Sequence, residues 1–336
     1  MKVTRRDVGQ GIAAVAAASV ITRGAFAQPA AMKLGTAFPP THPASTRMVE
    51  ACEAITKESN GAISIEVLPN SMLGSENAMQ SQVRTGALEF MTTSGVVLQG
   101  LALAAGINGL GYVFKEYSEV WPAMDGDLGA YIRAAADKVG LFMFEKTLDN
   151  GYRNITTSNR PINTVADLKG LKIRVPPTPL WVSIFSALGA SPTAIGLNEL
   201  YSSLQTKIVD AQENPLVQIE TVKVYEVQKY CSMTGHVWDG NWIVANKKIW
   251  TGLPQDSQKL IAKHFDTAAI KQREDVERLN KELEATLAQK GLVFNYPEKA
   301  QFREALEKAG FYTDWKKKFG PEAWAKLEQY AGKLGS

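Results

Sequence analysis

The chain has 336 residues, with 37 Lys and Arg against 34 Asp and Glu, three His and two Cys. The balance lacks the basic excess that neutralising phosphates requires, which argues against nucleic-acid binding. Three scattered His and no CxxC pair offer no metal-ligand cluster and no sign of a cofactor.

Residues 1–27 read as a targeting signal. Lys2, Arg5 and Arg6 form a positive n-region, and 11–21 is an apolar run too short to span a bilayer. Ala25-Phe26-Ala27 gives a small-x-small cleavage site, so the mature chain is expected to be soluble and to start near Gln28. The Arg5-Arg6 pair leaves a Sec and a twin-arginine route open. The signal holds Lys2, Arg5, Arg6 and Arg23 against Asp7, so the remainder is formally neutral. Any anion selectivity must then be local.

Residues 32–37 read as a strand, followed by a Pro/His loop over 38–43. Residues 44–59 form a predicted helix with Met48, Cys52 and Ile55 on one face. Cys52 therefore reads as a buried free thiol, with a bridge to Cys231 as the alternative in an oxidising compartment. Ile63, Ile65 and Val67 alternate as a strand. Ser75 can cap a helix running to Arg84, and 87–92 is another strand. This βαβαβ rhythm predicts a largely parallel sheet covered by helices. Further strands are expected at 141–147, 153–156, 172–175 and 242–245, with helices at 180–188, 197–205 and 216–227.

From Asp256 to Gln289 there is no Gly or Pro, and Leu260, His264, Ala268, Val276, Leu279, Leu283 and Leu287 recur at helical spacing. One helix of that length is about 50 Å long, more than one domain of this size is deep. It is expected to lie across two domains; two helices broken near 271–275 are the alternative. The length after the signal also suits two domains. The first is placed at 28–150 plus about 240–279, and the second at 151–239 plus about 280–336. The expected fold class is thus two-domain α/β with a long C-terminal bridging helix.

Two arginines carry the chemistry. Arg174 ends an apolar strand just before Pro176-Pro177, where the ladder must stop. That position faces the crevice in which open α/β sheets hold ligands, and a guanidinium grips a carboxylate with two parallel hydrogen bonds. A surface salt bridge is the other reading of Arg174. Arg153 lies in Asn150-Gly151-Tyr152-Arg153, and Asn214 in Asp210-Ala211-Gln212-Glu213-Asn214-Pro215. Asn214 can donate to a carboxylate oxygen, although a turn residue capping the next helix is the simpler local reading. Phe38, His42, Glu76, Ser94, Trp181, Trp238 and Asp239 are further candidates for the cleft wall. Trp242 reads as core, and His236 as a hydrogen-bonded hinge residue rather than a base.

The segments 70–79, 151–160, 167–176, 189–192, 199–201, 204–206, 210–215 and 225–230, with Thr234 and His236, resemble substrate-binding proteins of tripartite ATP-independent periplasmic (TRAP) transporters, DctP type. The resemblance implies a periplasmic clamshell that closes on a small organic acid anion. It implies that Arg174 makes the main salt bridge, with Arg153 and Asn214 in support. It implies delivery to small and large membrane subunits, driven by an ion gradient. Ala211 departs from the Gly usual there. At Ser94 and Val97 the sialic-acid branch carries charged side chains, so their absence argues against that sugar. A sugar acid, an aromatic acid and a hydroxy or oxo acid remain open, and a monomer is expected. No Gly-x-Ser-x-Gly elbow, Cys/His pairing or phosphate loop suggests an enzyme. A sensory protein of the same fold, signalling to a receptor, is the alternative.

Overall fold

The computed structural model describes residues 31–335, so the signal at 1–27 lies outside the described residues. One mixed sheet organises the chain. Its strands are β1 (Met32–Gly35), β2 (Ile65–Leu68), β3 (Phe90–Ser94), β4 (Leu141–Met143), β5 (Leu148–Thr157), β6 (Lys172–Val175), β7 (Ser191–Ala194), β8 (Ala211–Asn214), β9 (Tyr230–Asn246) and β10 (Val293–Asn295). The order is β2-β1-β3-β9-β5-β8-β6-β7, with β4 and β10 also pairing with β9.

The flanks β2-β1-β3 and β8-β6-β7 are parallel, as the βα rhythm predicts. The centre is not: β3-β9, β9-β5 and β5-β8 are all antiparallel. The expected largely parallel sheet is corrected to a mixed one, because two long strands join the flanks. Strand β9 has 17 residues and is buried without a break from Val237 to Asn246. A strand covered on both faces shows no polar/apolar alternation, so sequence periodicity reveals only 242–245 of it. The helix-capping turn expected at 210–215 is also corrected. Ala211–Asn214 is a fully buried strand paired on both sides, and only Pro215 caps the short helix that follows.

The helix Gln255–Gln289 is continuous, with no break at 271–275. Its Ile261, Phe265, Ala268 and Ala269 pack into one core with Leu34, Met48 and Ile243. Its Val276, Leu283 and Leu287 pack into another with Leu200, Ile219 and Cys231. Between the two stripes, Gln272 accepts from the Asp149 amide and donates to the Asp149 carbonyl, both at 2.7 Å. The adjacent Arg273 grips Asp125 through both Nη atoms and lies 3.9 Å over the Trp121 ring. The helix is thus fastened to β5 where it passes from one core to the other.

Cys52 and Cys231 are free and lie in these separate cores, which rules out the bridge. Burial pushes the Cys52 thiol up to about 12, so it packs as a small hydrophobe. Ser75 caps the helix Glu76–Thr85 by accepting from the Ala78 amide. No helix among the described residues is long and apolar enough to cross a membrane.

Candidate ligand-binding site

The ends of β3, β6 and β8 meet the middle of β5 and β9 around one cavity. Its space, open mouth included, is about 570 Å³.

Arg174 is one residue from the end of β6, registered against Thr193 of β7 and Gln212 of β8. Pro176 and Pro177 follow and also line the cavity. The residue is 1% exposed. Its Nε donates to the Ile195 carbonyl at 2.8 Å, but its buried Nη1 has no hydrogen-bond partner in the protein. Burial pulls Arg174 down to about 10; Glu213 opposes this and Arg153 adds to it. A buried guanidinium with no carboxylate in salt-bridge contact is costly unless an anion joins it.

Arg153 stands in the same wall in the opposite condition. Its Nε and Nη2 hold both oxygens of Glu213, at 2.5 and 2.9 Å. Its Nη1 donates to Asp239 Oδ2 at 2.9 Å, and Nη2 also reaches Asn214 Oδ1 at 2.8 Å. The guanidinium carbon lies 4.4 Å over the Trp181 ring. Burial lowers the Arg153 pKa, but Glu213 and Asp239 outweigh it, and the net shift is upward. Glu213 is held below its usual range because Arg153 and His236 outweigh its burial. His236 contacts Glu213 through Nε2 and Thr234 through Nδ1 and is lowered by burial, which makes it structural.

The remaining expected residues divide. Asp239 accepts from Ser94 Oγ at 2.6 Å and from Asn150 Nδ2 at 2.8 Å, so Ser94, Asp239 and Arg153 share one network at the wall. Asn214 lines the cavity, but it accepts from Arg153 and donates to Gln212. Glu76 opens its helix at the rim and lines the cavity. Its Oε1 accepts from Thr93 Oγ1 at 2.6 Å and the Ser94 amide at 2.8 Å, whereas Oε2 accepts no hydrogen bond from the described residues. Burial raises the Glu76 pKa, and those two donors oppose the rise. Phe38 and Trp181 line the cavity as expected; Trp181 gives its indole N–H to the Gly109 carbonyl. His42 stacks behind Phe38 at 4.0 Å and caps the helix Pro43–Glu58 through Nδ1. Its Nε2 makes no hydrogen bond within normal distance, although Asn150 acts on the ring.

Trp238 does not reach the cavity. It is 1% exposed, donates to Asp149 Oδ1 at 2.9 Å and packs edge-on against Phe114 and Trp121. The ligand role expected for it is corrected to core packing: β9 side chains alternate, so Asp239 faces the cavity network and its neighbour turns away. Trp242 is core, as expected.

Asn150, Asn241 and Gln218 also line the cavity and escape the sequence reading. Asn150 sits at a bulge, where Asp149 faces Gly240 and Gly151 faces Asp239. Gly151 there has φ +106°, which favours glycine. Asn241 Nδ2 is buried without a partner. A polar residue within the apolar run Trp242–Ala245 and its approach is the signal that could have marked it.

The family model for bacterial extracellular solute-binding proteins, family 7 (DctP), matches residues 34–314, which contain every residue of this cavity. The chain belongs to that family. It is 32% identical over 301 residues to a solute-binding protein of Roseobacter denitrificans, covering 89% of this chain and 92% of the relative. It is 32% identical to the sialic acid-binding periplasmic protein of Vibrio cholerae, over 82% of this chain and 85% of that one. A TRAP periplasmic solute-binding protein of Roseobacter denitrificans solved with bound L-galactonate superposes with a TM-score of 0.83 at 29% identity, covering 89% of this chain and 98% of the other. The fold is the two-domain α/β clamshell of DctP-type TRAP solute-binding proteins, with the long helix 255–289. DctP proteins are a substrate-binding transport family, not an enzyme family, and bind small organic acids.

Proposed function

We propose that this DctP protein is exported through the signal at 1–27, captures a small organic carboxylate between its two domains, and delivers it to small and large TRAP membrane subunits for ion-gradient-driven uptake, without catalysis. One observation carries the binding step: Arg174 is buried in the cavity wall with Nη1 unpaired. A carboxylate is the group that satisfies both its charge and its paired donors. Arg153 and Asn214 then act at one remove, shaping the wall while Glu213 and Asp239 neutralise Arg153. Closure would exclude water and strengthen the Arg174 contact. The relatives' ligands, among them L-galactonate, support an acid as the cargo. Thermal-shift screening of sugar, aromatic and hydroxy or oxo acids against the protein and Arg174→Ala tests the reading. A stabilising acid whose effect vanishes in the variant is expected. Stabilisation by neutral sugars or amines alone, or acid binding indifferent to Arg174, would overturn it. Recovering the bound acid chemically unchanged tests the absence of catalysis.

A further inference from the structure

The ionic wall around the cavity holds one cation with no carboxylate in salt-bridge contact. Arg153 is already matched by two carboxylates, Glu213 and Asp239, at 2.5 and 2.9 Å. Arg174 is the remaining cation, and Glu76 is a third carboxylate facing the same space. The relay behind Glu76 is directional. Gln80 Nε2 donates to Thr93 Oγ1, Thr93 Oγ1 donates to Glu76 Oε1 at 2.6 Å in preference to the Ser94 carbonyl at 3.4 Å, and the Ser94 amide donates to that same carboxylate oxygen. Both donors favour the ionised form of Glu76, and an ionised Glu76 is an acceptor whose Oε2 asks the ligand for a hydrogen-bond donor. Asn241 Nδ2, also at the wall, is a buried donor without a partner and asks for an acceptor. A hydroxyl group answers both demands; a second carboxylate at Glu76 meets like charge and brings no donor.

We propose that the site selects hydroxylated monocarboxylates and discriminates against dicarboxylates, with Glu76 as the residue that sets this choice. The inference rests on the carboxylate-binding reading above and narrows it. Unsubstituted fatty or aromatic monoacids leave Glu76 and Asn241 unpaired on closure, and buried polar groups left unpaired discriminate strongly.

The test is calorimetry on matched pairs: erythronate against tartrate, gluconate against glucarate, galactonate against galactarate, with hexanoate and benzoate as unhydroxylated monoacids. At least one aldonate should bind, with its diacid weaker by on the order of 100-fold or more, the scale of a like-charge juxtaposition. Glu76→Gln keeps the shape, removes the charge and supplies an amide donor. It should narrow the monoacid-to-diacid ratio by about 10-fold or more. Because the ratio is taken within one protein, a poorly folded variant cannot mimic the result. A diacid binding as tightly as its monoacid, a ratio unchanged in Glu76→Gln, or hexanoate or benzoate binding as well as the aldonates would overturn the proposal. So would a series in which no hydroxylated monoacid binds. Each of these leaves the carboxylate reading intact wherever some acid binds through Arg174; that reading fails separately, when binding is indifferent to Arg174→Ala.

Discussion

Replacing Arg174 by Met should change affinity and stability in opposite directions. In the ligand-free protein the guanidinium is held at about 10 by burial. Against an ordinary value above 12, and at about 1.4 kcal/mol per pH unit, keeping it charged costs on the order of 3 kcal/mol. The sign is that of a base whose pKa falls on folding. The cost is complete at neutral pH and is relieved only as pH rises through about 10. Met fills a similar volume and removes that cost, but it forfeits the Nε bond to Ile195, worth about 1 kcal/mol. The net expectation is a ligand-free protein that melts at the same temperature or a few degrees higher. With ligand the balance reverses. Truncating one partner of a buried charge pair costs roughly 2–5 kcal/mol, so affinity should fall by about 30-fold or more. Differential scanning calorimetry without ligand and isothermal titration with the best acid measure the two effects. A ligand-free Arg174→Met protein melting several degrees lower would refute the claim that the cation lacks a partner. An affinity within twofold of the parent would refute its role in binding.

Glu213→Gln should do the opposite to stability. It strands a buried Arg153 with Asp239 alone, and breaking such a pair typically costs roughly 3–5 kcal/mol, which urea denaturation will show as a lower midpoint at unchanged slope. Trp238→Ala should destabilise by about 3–5 kcal/mol through the cavity it opens, while Trp238→Phe, milder in volume, should leave ligand affinity within twofold because the ring lies outside the site. His42 is lowered to about 3 by burial. Its neutral form therefore contributes stability that is complete above about pH 6.5 and is lost progressively as pH falls toward 3. His42→Asn keeps the acceptor for the Ala44 amide and should flatten the loss of stability between about pH 6 and 4, measured by thermal melts across pH.

The parts of the site legible in the sequence are those whose local chemistry is unambiguous. Arg174 before two prolines marks the end of a strand, and the structure puts its side chain in the cavity wall. The long helix is legible because 35 residues without Gly or Pro keep one apolar periodicity. Strand β8 is not, since Gln212, Glu213 and Asn214 have low strand propensity and are held there by pairing with β5, by β6 beside Ala211 and Gln212, and by Arg153. The same long-range pairing hides the difference between the two arginines. Read locally, Arg153 and Arg174 are both cations on strands, with nothing nearby to mark which of them is paired. Only the fold brings Glu213 from β8 and Asp239 from β9 onto Arg153 and none onto Arg174. Which of two buried arginines is left for a ligand is therefore set by distant carboxylates. Moving both acids from Arg153 to Arg174 would exchange their roles, with no change in either arginine's own segment.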